Sequence, residues 1–232
     1  MAEHHEIYKQ NADIYDNLVS HEDYERNLLR EIKRLVPLTG KDVVEMGAGT
    51  GRITGILAPF VNSIKAFDIS QHMLDFAKIK LDKFKLNNYE LTVADNRDIP
   101  LSDTCADFVI SGWSIGYFAT WKNEEWKKDT KKAVDEMERM LKPNGTAIII
   151  ETLGTGHKQP IEPMKELSEY YTFLENKLGF SRSWIRTDYK FSSVDDAEKT
   201  VRFFFGDELG DYLRDNKTAV LPECTGLWTK NV

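Results

Sequence analysis

Residues 45–51 read E-M-G-A-G-T-G, directly behind Val43 and Val44. The alternating Gly47, Gly49 and Gly51 mark a backbone forced into a tight turn, or brought against a ligand where side chains have no room. "DVV" before them reads as a strand and "RITGILAPF" after them as a helix. Strand, glycine loop and helix in that order form a unit that cradles nucleotides. Asp68 ends a second apolar stretch, "SIKAFDIS", about 20 residues beyond Gly47, where a carboxylate can accept two hydrogen bonds from a ribose diol. That spacing suits a dehydrogenase equally, so Asp68 indicates adenosine without choosing a cofactor. The dinucleotide fingerprint G-x-G-x-x-G, counted from Gly47, requires glycine at position 52, and the chain has Arg52 there. Asp95, in "TVADNRDIP", stands just past a third strand as another acceptor.

Other reactive side chains are sparse. His157, in "GTGHKQP", is the general-base candidate, because an imidazole with a pKa near 6.5 can take a proton from an oxygen or nitrogen nucleophile. A solvated loop histidine is the alternative reading. Cys105 and Cys224 lie far apart with no CxxC or histidine-rich tract, so neither a disulfide framework nor a thiolate metal site is indicated, and no metal is expected. His4 and His5 read as solvated residues near a chain end. The formal net charge of −7, with lysines and arginines scattered, weighs against a nucleic-acid partner. No apolar run approaches the roughly 18 residues of a membrane span. A cytoplasmic, soluble protein is expected, as a monomer or a homodimer.

The elements that must position these groups follow from periodicity. The 232 residues fit one domain, since a single core serves up to about 250 residues. Leu28, Leu29, Ile32, Leu35 and Val36 place an amphipathic helix over Glu22 to Val36, closed by Pro37. Ser70 caps a helix bearing Met73, Leu74, Ala77 and Leu81. "ADFVISGW" and "TAIIIET" are nearly all apolar, as expected of parallel strands covered on both faces, with a helix over about Glu124 to Leu141 between them. The βαβαβ order through Thr152 predicts an α/β fold, doubly wound around a mostly parallel sheet. Beyond it come a Gly/Pro-bearing loop, a helix to about Leu178, a strand in "SWIRTDYKF", helices over about Val194–Phe205 and Asp207–Asn216, and a final strand in "AVLPECTGLWTK". The late strands most simply extend the same sheet with an antiparallel edge. The expected division is a helical lid (1–37), a cofactor-binding core (38–152), a substrate-side insertion (153–216) and a final strand (217–232).

An acid, one spacer, G-x-G-x-G, then Asp68 and Asp95 in order, together resemble the class I S-adenosylmethionine-dependent methyltransferases. "AD…DIPLSD…ADFVIS" and "MLKPNGTAIIIE" are similar to that family's later motifs, and "YKQNADIYD" resembles the N-terminal helix of its small-molecule branch through Tyr8, Ala12, Tyr15 and Asp16. The likeness spans about residues 8–152. It implies a Rossmann-like fold and an S-adenosyl-L-methionine site formed by Tyr8, Tyr15, Glu45, Gly47, Ala48, Gly49, Gly51, Asp68, Ile69, Met73, Asp95, Asn96, Ser111 and Trp113. Asp68 would take the ribose, Asp95 the adenine amino group, and Glu45 the loop or the ammonium group. Trp113 would steady the sulfonium by cation–π attraction or pack the lid helix. The implied activity is in-line methyl transfer to a small-molecule acceptor, a reaction with no compulsory acid–base pair. A tRNA or protein methyltransferase, a non-catalytic S-adenosylmethionine-binding protein and an NAD-dependent oxidoreductase are the rival readings. The aromatics of 153–216, with Arg186 and Arg202, are candidates for the acceptor pocket or for core and surface ion pairs.

Overall fold

Four apolar segments, Asp42–Met46 (β1), Ser63–Asp68 (β2), Ala106–Gly112 (β4) and Leu141–Thr155 (β5), join the more polar Tyr89–Val93 (β3) as parallel strands. The computed structural model describes residues 12–121, 124–161 and 164–232. Glu223–Asn231 (β9) and Ser181–Arg186 (β6) complete a seven-stranded sheet in the order β3-β2-β1-β4-β5-β9-β6. β9 runs antiparallel to both neighbours, so the edge strand β6 pairs antiparallel with the strand beside it. Among the described residues, no helix is long and apolar enough to cross a membrane.

Alternation of side chains along each strand explains the unbroken apolar runs. Val44, Val109, Ile149 and Trp228 face one layer, packed with Ala133, Val134 and Met137 of Trp126–Met140 (α6) and Tyr170 and Leu174 of Lys165–Asn176 (α7). Their strand neighbours Val43, Phe108, Ile148 and Leu227 face the opposite layer, with Leu28 and Ile32 of Asn27–Leu35 (α2) and Ile53 and Leu57 of Arg52–Leu57 (α3). Gln71–Lys83 (α4) follows β2, and its Met73 amide donates to Ser70 Oγ at 3.3 Å, the expected cap.

Several boundaries depart from the sequence reading. Residues Glu22–Arg26 form a turn rather than the first part of α2, because the Asp23 carboxylate caps that helix from outside, accepting the amides of Asn27 (2.8 Å) and Leu28 (3.0 Å). "SWIRTDYKF" splits into β6 and Tyr189–Lys190 (β7), and the last strand splits at Pro222 into Val220–Leu221 (β8) and β9. Pro222 cannot donate to a ladder. Asp188 instead accepts the Glu223 amide (2.9 Å), and β7 and β8 pair as a separate ribbon. That ribbon, with Val194–Phe205 (α8) and Asp207–Asp215 (α9), builds a third apolar cluster of Tyr189, Phe191, Val201, Phe204, Leu213 and Leu221. Leu18 of Ala12–Ser20 (α1) is seated in it, so the late segment carries the N-terminal helix.

Candidate active site

Sheet order reverses between β1 and β4, and ligands of open α/β sheets bind outside the carboxyl ends of strands at such a point. A cavity of about 400 Å³ opens there. Glu45, Gly47, Ala48 and Gly49 line it from the β1 loop, Asp68, Ile69 and Met73 from the end of β2, Asp95 and Asn96 from beyond β3, Trp113 from beyond β4, and Tyr15 from α1. Tyr8 lies outside the described residues.

The glycine loop is drawn across β2 by two amides, Gly47 and Ala48, which both donate to the Phe67 carbonyl at 2.8 Å. Asp68 then locks the turn: Oδ2 accepts the Gly49 amide and Oδ1 the Ser70 amide, each at 2.8 Å. Burial raises the Asp68 pKa against these two bonds. The carboxylate retains lone pairs toward the cavity it lines. The three glycines answer to different neighbours. A Cβ on Gly47 (φ 79°) would fall 2.0 Å from Ser114 Oγ, so this glycine is required by the loop that follows β4. Gly51 is turned to α4, where a Cβ would meet Ala77 Cβ at 3.1 Å, and it does not line the cavity. Gly49 has room, its nearest neighbour being Met73 Cε at 3.7 Å.

Glu45 is buried, with Thr54 Oγ1 donating to its Oε2, and desolvation pushes its pKa up to about 8. Asp95 is forked by the Arg97 guanidinium at 2.9 and 2.6 Å, which holds its carboxyl below the usual range, and Arg97 also reaches Asp129 at 3.0 Å. Asn96 Nδ2 donates to Ser114 Oγ (3.0 Å). Ser111 departs from expectation: it is buried inside β4 and does not reach the cavity. Trp113 reaches it with a left-handed backbone (φ 49°), but its cation–π partner here is the Arg52 guanidinium, 4.5 Å from the ring centroid. Lys80 Nζ binds Asp16 Oδ1 at 2.6 Å and fastens α1 to α4.

His157 is exposed beyond β5 and forms no part of the wall. β5 continues to Thr155, past the expected end at Thr152. No described residue of 153–216 lines the cavity: Tyr170 and Tyr171 pack in the core, Arg186 pairs with Asp188 at 2.6 Å, and Arg202 with Glu198, Asp207 and Asp211. The aromatic wall is instead Tyr117, Phe118 and Trp121, with Tyr117 and Trp121 stacked at 4.7 Å and the Phe118 ring 5.4 Å from the Arg97 guanidinium that forks Asp95. Their spacing, i and i+4, was the available signal. Arg52 was visible as the residue that breaks the dinucleotide fingerprint.

Residues 44–149 match the family described as "Methyltransferase domain". Malonyl-(acyl-carrier protein) O-methyltransferase of Marinomonas sp. (strain MWYL1) is 30% identical over 161 residues, 68% of this chain and 53% of that protein. Residues 44–149 are thus a methyltransferase domain, and the similarity to methyltransferases extends beyond that segment. Demethylmenaquinone methyltransferase of Bacillus cereus (strain B4264) is 26% identical over 154 residues, 64% of this chain and 61% of that protein. The alignments thus span between half and two thirds of these relatives' lengths. The solved structure of an S-adenosylmethionine-dependent methyltransferase from Aquifex aeolicus shares the fold, with a TM-score of 0.59 at 19% identity over 95% of this chain and 98% of that one.

The cavity's donor set fits the family's cofactor. Asp68 and Asp95 offer acceptors on the β2–β3 side, Gly49 leaves backbone uncovered, and two buried polar atoms of wall residues, Thr50 Oγ1 and Arg52 Nη2, have no hydrogen-bond partner.

Proposed function

We propose that the protein transfers the methyl group of S-adenosylmethionine to a small-molecule acceptor, and that Glu45, the glycine loop, Asp68, Ile69, Met73, Asp95, Asn96 and Trp113 hold the cofactor. The observation that carries this reading is one cavity at the switch point whose lining joins ribose- and adenine-type acceptors, Asp68 and Asp95, with the aromatic side chains Tyr15, Trp113, Tyr117, Phe118 and Trp121. A sulfonium methyl is already activated, so the chain's work is alignment: a nucleophile must sit about 3–3.5 Å behind the methyl, with water excluded. Tyr15, Tyr117, Phe118 and Trp121 supply an apolar surround for that approach. A volume of about 400 Å³ suits small ligands rather than a polynucleotide groove. The net charge of −7 points the same way. The relatives named for demethylmenaquinone and malonyl-(acyl-carrier protein) support methyl transfer to metabolite-like groups. The free Cys105 and Cys224 fit a reducing, cytoplasmic setting.

The test supplies methyl-labelled S-adenosylmethionine to purified protein with separate panels of carboxylic acids, phenols, amines and thiols, and with tRNA and protein fractions. Label in one small-molecule class is the expected result. Label confined to tRNA or protein would replace the acceptor class. S-adenosylmethionine bound without transfer to any acceptor would indicate a binding protein.

A further inference from the structure

Arg52 stands on the cavity wall at the start of α3, with its guanidinium held from two sides. Nη1 donates to Glu22 Oε2 at 2.6 Å, and the Trp113 ring lies 4.5 Å from the guanidinium carbon. The second terminal nitrogen, Nη2, is buried without a partner, and so is Thr50 Oγ1 two residues earlier on the same wall. A buried donor left unmade costs about 1–3 kcal/mol, and native structures keep such atoms where something else completes them. The completing atom must be an acceptor, and a flat guanidinium already fixed in orientation selects a carboxylate.

We propose that Arg52 Nη2, aided by Thr50 Oγ1, is the subsite for the carboxylate of the cofactor's amino-acid moiety. The inference rests on the S-adenosylmethionine reading. Asp68 and Asp95 mark the β2–β3 side of the cavity as the nucleoside end, whereas Arg52, Trp113 and Glu45 lie on the β1–β4 side, where the other end of an extended ligand must lie. That end is a zwitterion, and the wall offers it opposite polarities: a guanidinium for the carboxylate and the Glu45 carboxyl group for the ammonium. The charge balance agrees. Glu22 cancels the one positive charge of Arg52, so a singly charged carboxylate beside its own ammonium and sulfonium is accommodated without a large uncompensated field. Glu22 is a positioning residue, holding the guanidinium from the turn between α1 and α2.

The test compares two probes, S-adenosylmethionine and its decarboxylated analogue, which differ only in the carboxylate. Dissociation constants are measured by calorimetry on wild type, Arg52→Lys and Arg52→Gln. The wild type should prefer the carboxylated probe by roughly ten- to a hundredfold, the range of a charge-assisted hydrogen bond. In Arg52→Gln this preference should fall to near one while affinity for the decarboxylated analogue is kept, with Arg52→Lys, which preserves the charge facing Glu22, in between. Retention of the full preference in both variants would overturn the proposal, as would a wild type with no preference. Equal loss of both probes in the variants would assign Arg52 a purely structural role. Failure of the wild type to bind either probe would instead refute the cofactor reading itself.

Discussion

Gly47 and Asp68 separate what the glycine loop does for the fold from what it does for a ligand. Gly47→Ala places a Cβ 2.0 Å from Ser114 Oγ at a φ of 79°, so steric overlap and left-handed strain add. A loss of about 1–3 kcal/mol from the strain alone is expected in chemical denaturation. Adding Ser114→Gly should recover the steric part and leave the strain; if the double variant is no more stable than Gly47→Ala, the overlap is not the cause. Asp68 combines both tasks, since its two oxygens hold the Gly49 and Ser70 amides while it faces the cavity. Asp68→Asn keeps one carbonyl acceptor for the turn and should fold, yet bind S-adenosylhomocysteine at least about tenfold more weakly through loss of a charged acceptor to the ribose. Unchanged affinity by calorimetry would remove Asp68 from the cofactor site.

At the scale of elements, the N-terminal ends of β1, β4 and β5 are tied at the pole opposite the cavity by Asp107. Its carboxylate accepts Lys41 Nζ (2.9 Å), the Asp42 amide (3.0 Å) and Lys142 Nζ (2.9 Å). Burial alone would raise its pKa, but the amide and the two lysines outweigh it and hold the carboxyl well below the usual range. A depressed carboxylate contributes stability above its unfolded value, near 3.9, and loses it as pH falls further. Asp107→Asn should therefore lower the denaturation midpoint at neutral pH and flatten the fall in stability below about pH 4; an unchanged acid slope would show that other carboxylates control it. The parallel core was legible because strands buried on both faces are written as continuous apolar runs, as in "AIII" of β5. The ribbon β7–β8 was not, since two-residue strands carry no period, and the break at Pro222 depends on where Asp188 directs its side chain. In the site, the acids and glycines could be read because each lies at or just past the carboxyl end of a strand. Arg52 was overlooked because its partners, Glu22 and Trp113, lie far away in sequence and meet it only across the fold. The aromatics of 153–216 looked like an acceptor wall by composition, yet Tyr170, Tyr171 and Phe173 pack the core, Tyr189, Phe204 and Phe205 pack the bed beneath α1, and Trp184 and Phe203 are exposed, distinctions that composition does not carry.

Across the whole molecule, three buried glutamates set the dependence of stability on pH. Glu45, Glu151 and Glu223 are each pushed up to about 8, in every case first by burial. The Gly116 amide opposes the shift at Glu151, and the negative charge of Glu22 reinforces it at Glu223. A carboxyl whose folded pKa exceeds its unfolded value binds more protons in the folded state between the two, so its contribution is complete below about pH 4.3 and lost as pH rises toward 8. Asp23 and Asp68 shift in the same direction, while Glu31, Asp42, Asp95 and Glu136 are lowered and act only on the acid side. Melting temperature should accordingly peak near pH 5 and decline toward pH 8, with Glu151→Gln, which leaves the cavity wall untouched, reducing the decline. The cofactor enters the same balance through Glu45. An ammonium beside that carboxyl favours its ionised form, so binding lowers its pKa, releases a proton and strengthens as pH rises toward neutrality. Saturating S-adenosylhomocysteine should therefore raise the melting temperature more at about pH 7.5 than at about pH 5.5, and calorimetry in buffers of different ionisation enthalpy should record the released proton. An equal shift at both pH values, with no proton released, would mean that Glu45 shapes the glycine loop through Thr54 and does not receive the ammonium.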